Sequence, residues 1–416
     1  MNETKQLEFK SDITNTFLKT VSAFANYDGG KIVFGVDDHG DVVGLDDPVQ
    51  ACLDIENKIN DSIHPQPPYE LSVQESAKTV TLVVRSGRNT PYTYKSKAYR
   101  RNDTATIEAD SLELSRLVLR GEHINFEDLP AEKQDLTFNT LERLAKEKIG
   151  ITSLNRDVLK TLNLYSDGEG YNHAAEILAD ENGFPGIDIA RFGESINVIL
   201  KRAVIEHQSV IDELGKAMEI FRDYYQYEEI HGMDRIKIEK VPEEAFREAV
   251  ANALIHRTWD INVNIRIMMF DDRIEVSSPG WLPPGLSKEE YLRGSVSILR
   301  NPKLGNVFYR LNLVEILGTG ILRIREAYEN SIQKPAFEVY ENSIHVILPV
   351  ISKEKLSADE KIVYQILSKT MPKSISEIAA AVPFGRSKTG GLLKAMAEKQ
   401  YITIEGKGRG TKYKIG

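Results

Sequence analysis

Aromatic and basic side chains alternate between residues 91 and 106, and this combination can bind nucleic acid. The interleaved residues are Tyr92, Tyr94, Lys95, Lys97, Tyr99, Arg100 and Arg101. Aromatic rings stack on bases, while Lys and Arg side chains contact phosphates. The side chains predicted to bind nucleic acid are Tyr94, Lys97, Arg100 and Arg101. An amphipathic hairpin at the edge of a sheet would show the same alternation, so the sequence leaves that alternative open.

A second group of cations lies in the C-terminal part of the chain. The 416 residues carry a formal net charge of −9, but residues 355–416 contain 12 Lys and Arg against 5 Asp and Glu. That segment has a net charge of +7, so the remainder carries about −16. A basic module on an acidic body is typical of a protein in which one module contacts a polyanion. A basic face that contacts only solvent is the alternative.

The pattern within residues 355–416 predicts the elements that would present these cations. Helices over 358–369, 375–382 and about 387–399 are followed by two short strands around the glycine-rich segment 406–410. Ser374 and Glu377 have the spacing of a capping box at the second helix. This order is that of a winged helix-turn-helix, whose third helix enters the major groove of DNA. The predicted DNA contacts are Arg386, Lys388, Lys394, Lys407, Arg409 and Lys412. A winged helix that binds protein is the alternative.

The composition excludes several classes of protein. With 41% apolar and 28% charged residues the chain can form packed cores, and its length corresponds to about two to four domains. Cys52 is the single cysteine, which excludes a disulfide scaffold and a zinc site made of several thiolates. No apolar run approaches the roughly 18 residues of a membrane helix. No secretory signal is visible at the start, so we expect a cytoplasmic protein.

Hydrophobic periodicity predicts an α+β multidomain architecture. In residues 1–120 it predicts helices over 16–26 and 49–63 and strands over 31–36 and 79–84. Residues 121–235 are predicted to form a mostly helical connector. A second α+β domain over 236–352 is predicted to contain helices over 243–256 and 314–328, and strands over 262–269, 273–276 and 344–348. The winged helix over 355–416 completes the chain.

Blocks of sequence in the first 120 residues resemble the Schlafen-type AlbA-like domain. They are LEFK at 7–10, VSAFANYDGGKIVFGVDD at 21–38, GDVVGL at 40–45 and the closing segment PYTYKSKAYRRNDTAT at 91–106. The family often has a glycine after the last arginine of the closing segment, where this chain has Asn102. The resemblance implies that residues 1–120 bind nucleic acid.

The same resemblance implies an enzymatic alternative. Animal Schlafens are similar to metal-dependent RNA nucleases, and the acidic triad of those enzymes matches Glu3, Glu8 and Asp37 or Asp38. Clustered carboxylates could hold Mg²⁺ or Mn²⁺ and activate water at a phosphodiester. The structural alternative for Glu8 is an ion pair with Lys10 or Arg101.

Blocks in the second half resemble the divergent ATP-binding region that accompanies this N-terminal domain in many predicted bacterial transcriptional regulators. They are FREAVANALIHR at 246–257, RIEVSSPGWLPPG at 273–285, RNPKLGNVF at 300–308 and EILGTGILRI at 315–324. Some members are labelled helicase-like. This sequence has no GxxxxGK(S/T) motif, which such motors require, so we do not expect helicase activity. The region instead resembles the GHKL ATPase fold.

The GHKL resemblance implies ATP with Mg²⁺ as cofactor. Glu248 would be the base and Asn252 the Mg²⁺ ligand, one helical turn apart on one face. Gly318 and Gly320 would let phosphates approach backbone N–H groups where a helix begins. Gly280 would belong to the first glycine box of the fold. The alternative is a GHKL fold that no longer hydrolyses ATP and serves as a dimerisation or effector module.

The first glycine box departs from the GHKL pattern. It reads Ser277-Ser278-Pro279-Gly280, without the aspartate that receives the adenine amino group. The divergent subfamily shares this form. His256 could contact a phosphate or a metal, but a lone histidine at the end of a helix is more often a cap or a packed residue.

Together these patterns predict a DNA-binding transcriptional regulator of prokaryotic type whose middle domain senses a nucleotide. RNA is an alternative ligand of the first domain. Symmetric operators and the GHKL resemblance favour a homodimer. The alternative functions are a divalent-metal-dependent RNA nuclease and an ATP-dependent switch protein that acts on DNA.

Overall fold

The computed structural model describes residues 2–231, 234–283, 285–294, 296, 298–315, 318–329, 331–351, 356–368, 370–399, 401–406 and 408–415. For residues 231 and 409 it describes the backbone alone. The predicted DNA contact Lys407 lies outside the described residues.

Residues 7–121 contain two four-stranded sheets and three helices. The elements are β1 (Leu7–Lys10), α1 (Phe17–Asn26), β2 (Gly30–Phe34), α2 (Pro48–Ser62), β3 (Ile63–His64), β4 (Tyr69–Gln74), β5 (Thr79–Val84), β6 (Thr93–Tyr94), β7 (Lys97–Asn102), β8 (Ala105–Glu108) and α3 (Ser111–Gly121). One sheet has the order β1-β2-β5-β4 and the other β3-β6-β7-β8. Strands β1 and β2 are parallel.

Helix α1 forms the centre of this unit. Its spacing of apolar residues buries Phe17, Val21 and Phe24 in one core with strands of both sheets. The predicted helix over 16–26 and strand over 79–84 are confirmed. The core thus fixes β1 and β7, the strands that carry the predicted site residues of this domain.

Residues 139–349 contain a longer series of elements. They are α4 (Asn139–Ile149), α5 (Arg156–Thr161), β9 (Tyr165–Ser166), β10 (Gly170–Tyr171), α6 (His173–Leu178), β11 (Ile187–Phe192), β12 (Ile199–Ile205), α7 (Val210–Tyr225), β13 (Gln226–His231), β14 (Asp234–Glu239), α8 (Glu243–His256), β15 (Ile265–Met269), β16 (Arg273–Pro279), α9 (Lys288–Arg293), α10 (Pro302–Arg310), α11 (Gly320–Ala327), β17 (Ala336–Val339) and β18 (Ser343–Pro349). Six strands form one sheet in the order β12-β11-β15-β16-β18-β17.

The structure differs from the predicted division at residue 235. Strands β11 and β12 lie in the predicted helical connector, yet they belong to the same sheet as β15 to β18. One hydrophobic core extends from Phe138 to Leu348 and includes Phe221 of α7 stacked on Phe246 of α8. Strand β12 was missed because it exposes apolar residues, which blurs its alternation. Residues 139–349 therefore fold around one core.

The C-terminal elements have a core of their own. They are α12 (Ala358–Ile366), β19 (Lys373–Ser374), α13 (Ile375–Ala381), α14 (Arg386–Glu398), β20 (Ile402–Glu405) and β21 (Lys412–Ile415). The strands form a sheet in the order β19-β21-β20. The predicted capping box of Ser374 and Glu377 is confirmed at the start of α13. Val363, Ile378 and Leu393 are fully buried between the helices.

The chain is a multidomain α+β protein, which confirms the predicted fold class. Among its described helices, none combines the length and the apolar character that crossing a bilayer requires.

Candidate functional site

Glu248 and Asn252 lie side by side on α8. The Asn252 Nδ2 group donates a hydrogen bond of 3.2 Å to Glu248 Oε1, and the Glu248 side chain is buried. Burial raises the pKa of Glu248, while the hydrogen bond from Asn252 and the charge of Arg323 act in the opposite direction. The predicted one-turn spacing therefore brings the two side chains into direct contact. The Asn252 side chain also carries an amide oxygen, the type of atom that Mg²⁺ accepts as a ligand.

Gly320 allows α11 to begin directly against this pair. A Cβ atom on Gly320 would lie 2.4 Å from Asn252 Nδ2 and 2.6 Å from Glu248 Oε1, so no larger residue fits without a shift. Gly318 has a φ of +71°, in the left-handed region that favours glycine, where the chain turns into the helix. The start of α11 thus lies against the Glu248 carboxylate and the Asn252 side-chain amide. A helix N-terminus favours anions such as phosphate.

An apolar cavity opens next to these residues. Its polar lining includes Asn252, His256, Ser278 and Tyr291, and most of the rest is aliphatic or aromatic, including Val276, Leu299, Ile321, Phe337, Ile344 and Val346. The volume of this cavity is about 110 Å³. The predicted residues Asn252, Gly280, Gly318 and Gly320 all line this cavity. An apolar cavity with a few polar groups at one end is the usual form of a small-molecule site.

Gly280 is the last residue of the first glycine box and packs against the turn that follows α8. It has a φ of +122°, and a Cβ atom there would lie 2.3 Å from Thr258 Oγ1. Ser278 occupies part of the position where the GHKL aspartate was expected, and its hydroxyl donates to the Ala253 carbonyl at 3.1 Å. The Ser278 oxygen can therefore only accept a further hydrogen bond from a ligand.

His256 lies at the end of α8 and lines the cavity. Burial, together with the charge of Arg300, lowers the pKa of His256 to about 4. The imidazole is therefore neutral near pH 7. The Arg300 Nε group donates to the His256 carbonyl at 3.1 Å, so the backbone of His256 takes part in ending the helix, as expected for a cap position.

Two residues of the RNPKLGNVF block have roles that the sequence did not reveal. Asn301 is buried, and its Nδ2 donates to the carbonyls of Ile255 at 2.6 Å and Arg257 at 2.9 Å. Arg300 donates to the carbonyls of His256 and Trp281. Both side chains satisfy backbone acceptors where α8 ends and hold the wall of the cavity. The resemblance marked the block, but only the fold shows what it contacts.

The three carboxylates of the predicted nuclease site do not converge. Glu8 is buried in an ion pair with Arg101, and its other oxygen lies 2.8 Å from Lys10 Nζ. Glu3 Oε1 accepts the backbone N–H of Phe9 at 2.8 Å. Asp37 accepts N–H groups within its own turn, and the one from Asp41 chiefly lowers its pKa. Within the described ranges, no three His, Cys, Asp or Glu residues form a group that could hold a metal ion.

The aromatic and basic segment 91–106 is largely turned inward. Tyr94 is buried in the core, and Arg101 is 7% exposed and paired with Glu8. Both residues therefore have structural roles, which corrects their prediction as nucleic-acid contacts. Lys97 and Arg100 remain at the surface of β7, paired with Glu108 at 2.7 Å and Glu113 at 2.8 Å. The alternation of aromatic and basic residues in this segment is therefore that of an amphipathic hairpin with one face in the core.

The C-terminal cations lie on the surface of their module. Arg386 begins α14, Lys394 lies further along it, and Lys412 begins β21, and all three are exposed. Lys388 forms an ion pair of 2.6 Å with Asp359 and lies over the Phe384 ring. Arg409 lies in the turn between β20 and β21.

Comparison with family models assigns two segments. Residues 3–110 match the family described as Schlafen, AlbA_2. Residues 262–348 match the family described as Putative ATP-dependent DNA helicase recG C-terminal, an HATPase_c_4 domain. The chain therefore contains an AlbA_2 domain at its N-terminal end and a RecG-like HATPase_c_4 domain further along, as the resemblances implied. The first match covers about a quarter of the chain and the second about a fifth.

Several solved structures, among them a crystal structure and a solution NMR structure, are similar to the chain. The crystal structure of the DIP2311 protein from Corynebacterium diphtheriae is 18% identical, with 99% of this chain and 92% of that chain covered and a TM-score of 0.49. A solution NMR structure is that of the N-terminal domain of a Putative ATP-dependent DNA Helicase RecG-related Protein from Nitrosomonas europaea. It is 26% identical, with 26% of this chain and 79% of that chain covered and a TM-score of 0.19. No curated protein is significantly similar to the chain.

Proposed function

We propose that the chain is a DNA-binding transcriptional regulator whose middle cavity binds an adenine nucleotide with Mg²⁺. The observation that carries the proposal is the meeting of Glu248 and Asn252 with the N-terminal end of α11 beside the apolar cavity. The HATPase_c_4 match supports the nucleotide, and the AlbA_2 match supports a link to nucleic acid.

The residues of the cavity fit a nucleotide in a defined way. The apolar walls would take the base, with the Ser278 oxygen as a hydrogen-bond acceptor at its edge. The N–H groups at the start of α11 would face phosphates. Asn252 Oδ1 would be a ligand of Mg²⁺, which when bound neutralises phosphate charge. Glu248 has a raised pKa and would accept a proton from water.

Calorimetric titration with ATP and Mg²⁺ tests the nucleotide. We expect saturable binding to the full chain, and at least a tenfold loss of affinity in Asn252→Ala because the oxygen ligand is removed. Asn197→Ala changes an exposed asparagine in a loop away from the cavity and serves as the control. Absence of binding to the unaltered chain would refute this part of the proposal.

The C-terminal module supplies the proposed DNA contact. The order α12-β19-α13-α14-β20-β21 supports a winged helix, in which α14 would enter the major groove and the β20–β21 turn would lie on phosphate. The exposed side chains of Arg386, Lys394 and Lys412 support phosphate contact. Lys388 would have to leave Asp359 to reach DNA.

Salt-dependent binding of labelled duplex DNA tests this contact. We expect Arg386→Ala to weaken binding and to make the slope of log K against log salt shallower by about one, because one phosphate contact is lost. Lys133→Ala removes an exposed cation outside the module and should leave the slope unchanged. Equal slopes for the two variants would contradict a contact by α14.

We propose that the protein acts as a homodimer through the edge of its central sheet. Strand β12 is the last strand of that sheet, and Ile199, Leu200 and Val204 are 58%, 56% and 49% exposed. Open edges with exposed aliphatic residues pair with other chains unless they are protected. Light scattering of the unaltered protein should give twice the mass of one chain. The Leu200→Lys variant should give the mass of a single chain. Val43→Lys, at a residue that is also 56% exposed, is the matched control.

A further inference from the structure

Trp281 joins the cavity to the N-terminal domain. It follows Gly280 and lines the cavity. The guanidinium of Arg300 lies 5.2 Å from the centre of its ring, and that of Arg116 lies 5.0 Å from the same centre. Arg300 belongs to the same core as the cavity, but Arg116 belongs to α3, which follows the AlbA_2 domain. The indole is therefore contacted by cations from two parts of the molecule.

An ion pair reinforces this contact. Arg116 Nε donates to Asp260 Oδ2 at 2.6 Å, and both side chains are mostly buried, at 24% and 15% exposed. Burial lowers the pKa of Arg300 to about 10, with Asp260 acting against that effect and Arg116 adding to it. Two guanidinium groups thus contact one indole ring, and that of Arg116 also pairs with the Asp260 carboxylate. Cation–π attraction at a desolvated site compensates part of the remaining positive charge.

This group of side chains is sensitive to small displacements. Arg116 Nη2 and Asp260 Oδ1 are buried without a hydrogen-bond partner among the described residues. A shift that satisfied these atoms would gain free energy, because an unpaired buried polar atom is costly. Trp281 and Asp260 both contact the Arg116 guanidinium. A ligand that moves the cavity wall therefore changes the environment of Arg116.

Helix α3 is fixed to the AlbA_2 domain on its other side. Thr90 Oγ1 donates to the Leu117 carbonyl at 2.6 Å, and Arg120 donates to the Asn26 carbonyl. The Glu113 carboxylate, one helical turn before Arg116, forms an ion pair with Arg100 of β7, with 2.8 Å between Glu113 Oε1 and Arg100 Nε. Arg100 is one of the surface cations predicted to contact nucleic acid. A displacement of Arg116 is therefore transmitted along α3 to Glu113, the residue that pairs with Arg100.

From these contacts we infer that Arg116 and Trp281 couple occupancy of the cavity to nucleic-acid binding by the AlbA_2 domain. The inference rests on the proposed function, since it takes the cavity to be a ligand site. Arg116 is a positioning residue, because it reaches the ligand only through Trp281. By linkage, nucleic acid and ligand must change each other's affinity by the same factor.

Hydrogen exchange of the full chain, with Mg-ATP as probe, tests the coupling. In the unaltered protein Mg-ATP should slow exchange both in 276–283 and in 111–121. In Arg116→Ala it should slow 276–283 alone. Arg156→Ala, which removes a guanidinium stacked on Tyr165 outside the cavity, should behave like the unaltered protein. Slowing of 111–121 to the same extent in Arg116→Ala would overturn the inference.

A binding measurement gives the size of the effect. We expect Mg-ATP to change the affinity for a labelled single-stranded oligonucleotide by at least about fivefold, the lower end of typical coupling. The ratio should fall to near one in Arg116→Ala. Arg116→Lys keeps the charge but loses the planar group, so its ratio should lie between the two. A full ratio in Arg116→Ala would refute the role of this residue.

A ligand-free comparison separates the inference from the proposed function. If Mg-ATP slows exchange in neither segment, the proposed nucleotide is wrong. Trp281→Ala without ligand then decides the coupling. Loss of the ring should speed exchange in 111–121 by at least about fivefold if Trp281 fixes Arg116. Unchanged exchange in that helix would overturn the inference whatever the ligand.

Discussion

Two buried glutamates, Glu8 in the AlbA_2 domain and Glu248 on α8 before the RecG-like region, were both predicted to act in a site, but their surroundings differ. Glu8 contacts Lys10 and Arg101, and it also accepts a hydrogen bond from Thr20 at 2.8 Å. Its negative charge is matched by two cations within the fold. Such a group has little left to offer a metal ion or a substrate.

Glu248 is compensated much less. Its direct partner is the amide of Asn252, which lines the cavity, and its pKa is raised by burial. A carboxylate with a perturbed pKa next to a cavity is a better functional candidate than one in a closed ion pair. The comparison teaches that the surroundings of a buried acid, and not its type or spacing, separate a structural residue from a site residue.

Removing Arg101 should give the largest effect, because it breaks the closed cluster. Arg101→Met leaves Glu8 buried with Lys10 as its remaining cation, and loss of one partner of a buried pair costs about 3–5 kcal/mol. We expect a marked fall in the melting temperature of the transition that includes the AlbA_2 domain. Circular dichroism and calorimetry measure it. The double variant Glu8→Gln, Arg101→Met should recover part of the loss, and a single variant as stable as the parent would contradict the structural role.

The charge of Glu127 is compensated less than that of Glu8 and more than that of Glu248. This residue should make the stability of the protein depend on pH. It is fully buried, and its carboxylate accepts the N–H groups of Lys303 at 2.6 Å and Leu304 at 3.0 Å where α10 begins. Burial raises its pKa to about 7 in spite of these hydrogen bonds. The folded protein therefore holds this proton more tightly than the unfolded chain, so the stabilisation is present below about pH 4.5 and lost as the pH rises through 7.

The size of this loss follows from linkage. A shift from 4.5 to about 7 corresponds to about 3 kcal/mol lost between those pH values. Glu127→Gln should remove this component, because the amide does not titrate. Denaturant titrations of both proteins at pH 5, 6, 7 and 8 measure the difference. Parallel curves for the two proteins would show that Glu127 does not titrate in this range.

Enlarging Gly320 should test the other side of the comparison. In Gly320→Ala the new Cβ atom would lie 2.4 Å from Asn252 Nδ2 and 2.6 Å from Glu248 Oε1, so α11 must move away or the amide must turn. We expect a loss of nucleotide affinity of about tenfold, with about 1–3 kcal/mol lost from stability. Gly215→Ala, in the open on α7, is the control. Unchanged nucleotide affinity in Gly320→Ala would place the ligand elsewhere.

Local pattern was a sufficient guide to single elements. The helix over 243–256 was predicted with the bounds it has, because its apolar face and the change of pattern at His256 are local features. The capping box at Ser374 was equally local. Register along one helix also placed Glu248 and Asn252 in contact correctly.

What depended on distant contacts could not be predicted. Whether Arg101 faces nucleic acid or Glu8 depends on how β7 packs against β1, and the two residues lie 93 positions apart. Arg116 and Trp281 meet only because α3 lies against the loop after β16. Strand β12 was missed because an exposed edge strand has no clear alternation of buried and exposed residues. Pairings of this kind are set by tertiary packing, which one sequence does not display.

Lys97 should give the smallest effect and sharpen the comparison within a single strand. Lys97 and Arg101 both lie on β7, but Lys97 is exposed and paired with Glu108 at the surface. Because a surface pair contributes little to stability, Lys97→Ala should leave the melting temperature unchanged. If β7 faces nucleic acid, the variant should weaken binding of a labelled oligonucleotide by a few-fold and lower the salt slope by about one. Glu108→Ala frees the lysine and should strengthen binding slightly. Unchanged affinity and slope in both variants would mean that the AlbA_2 domain binds nucleic acid through another face, and the basic strand would then be structural along its whole length.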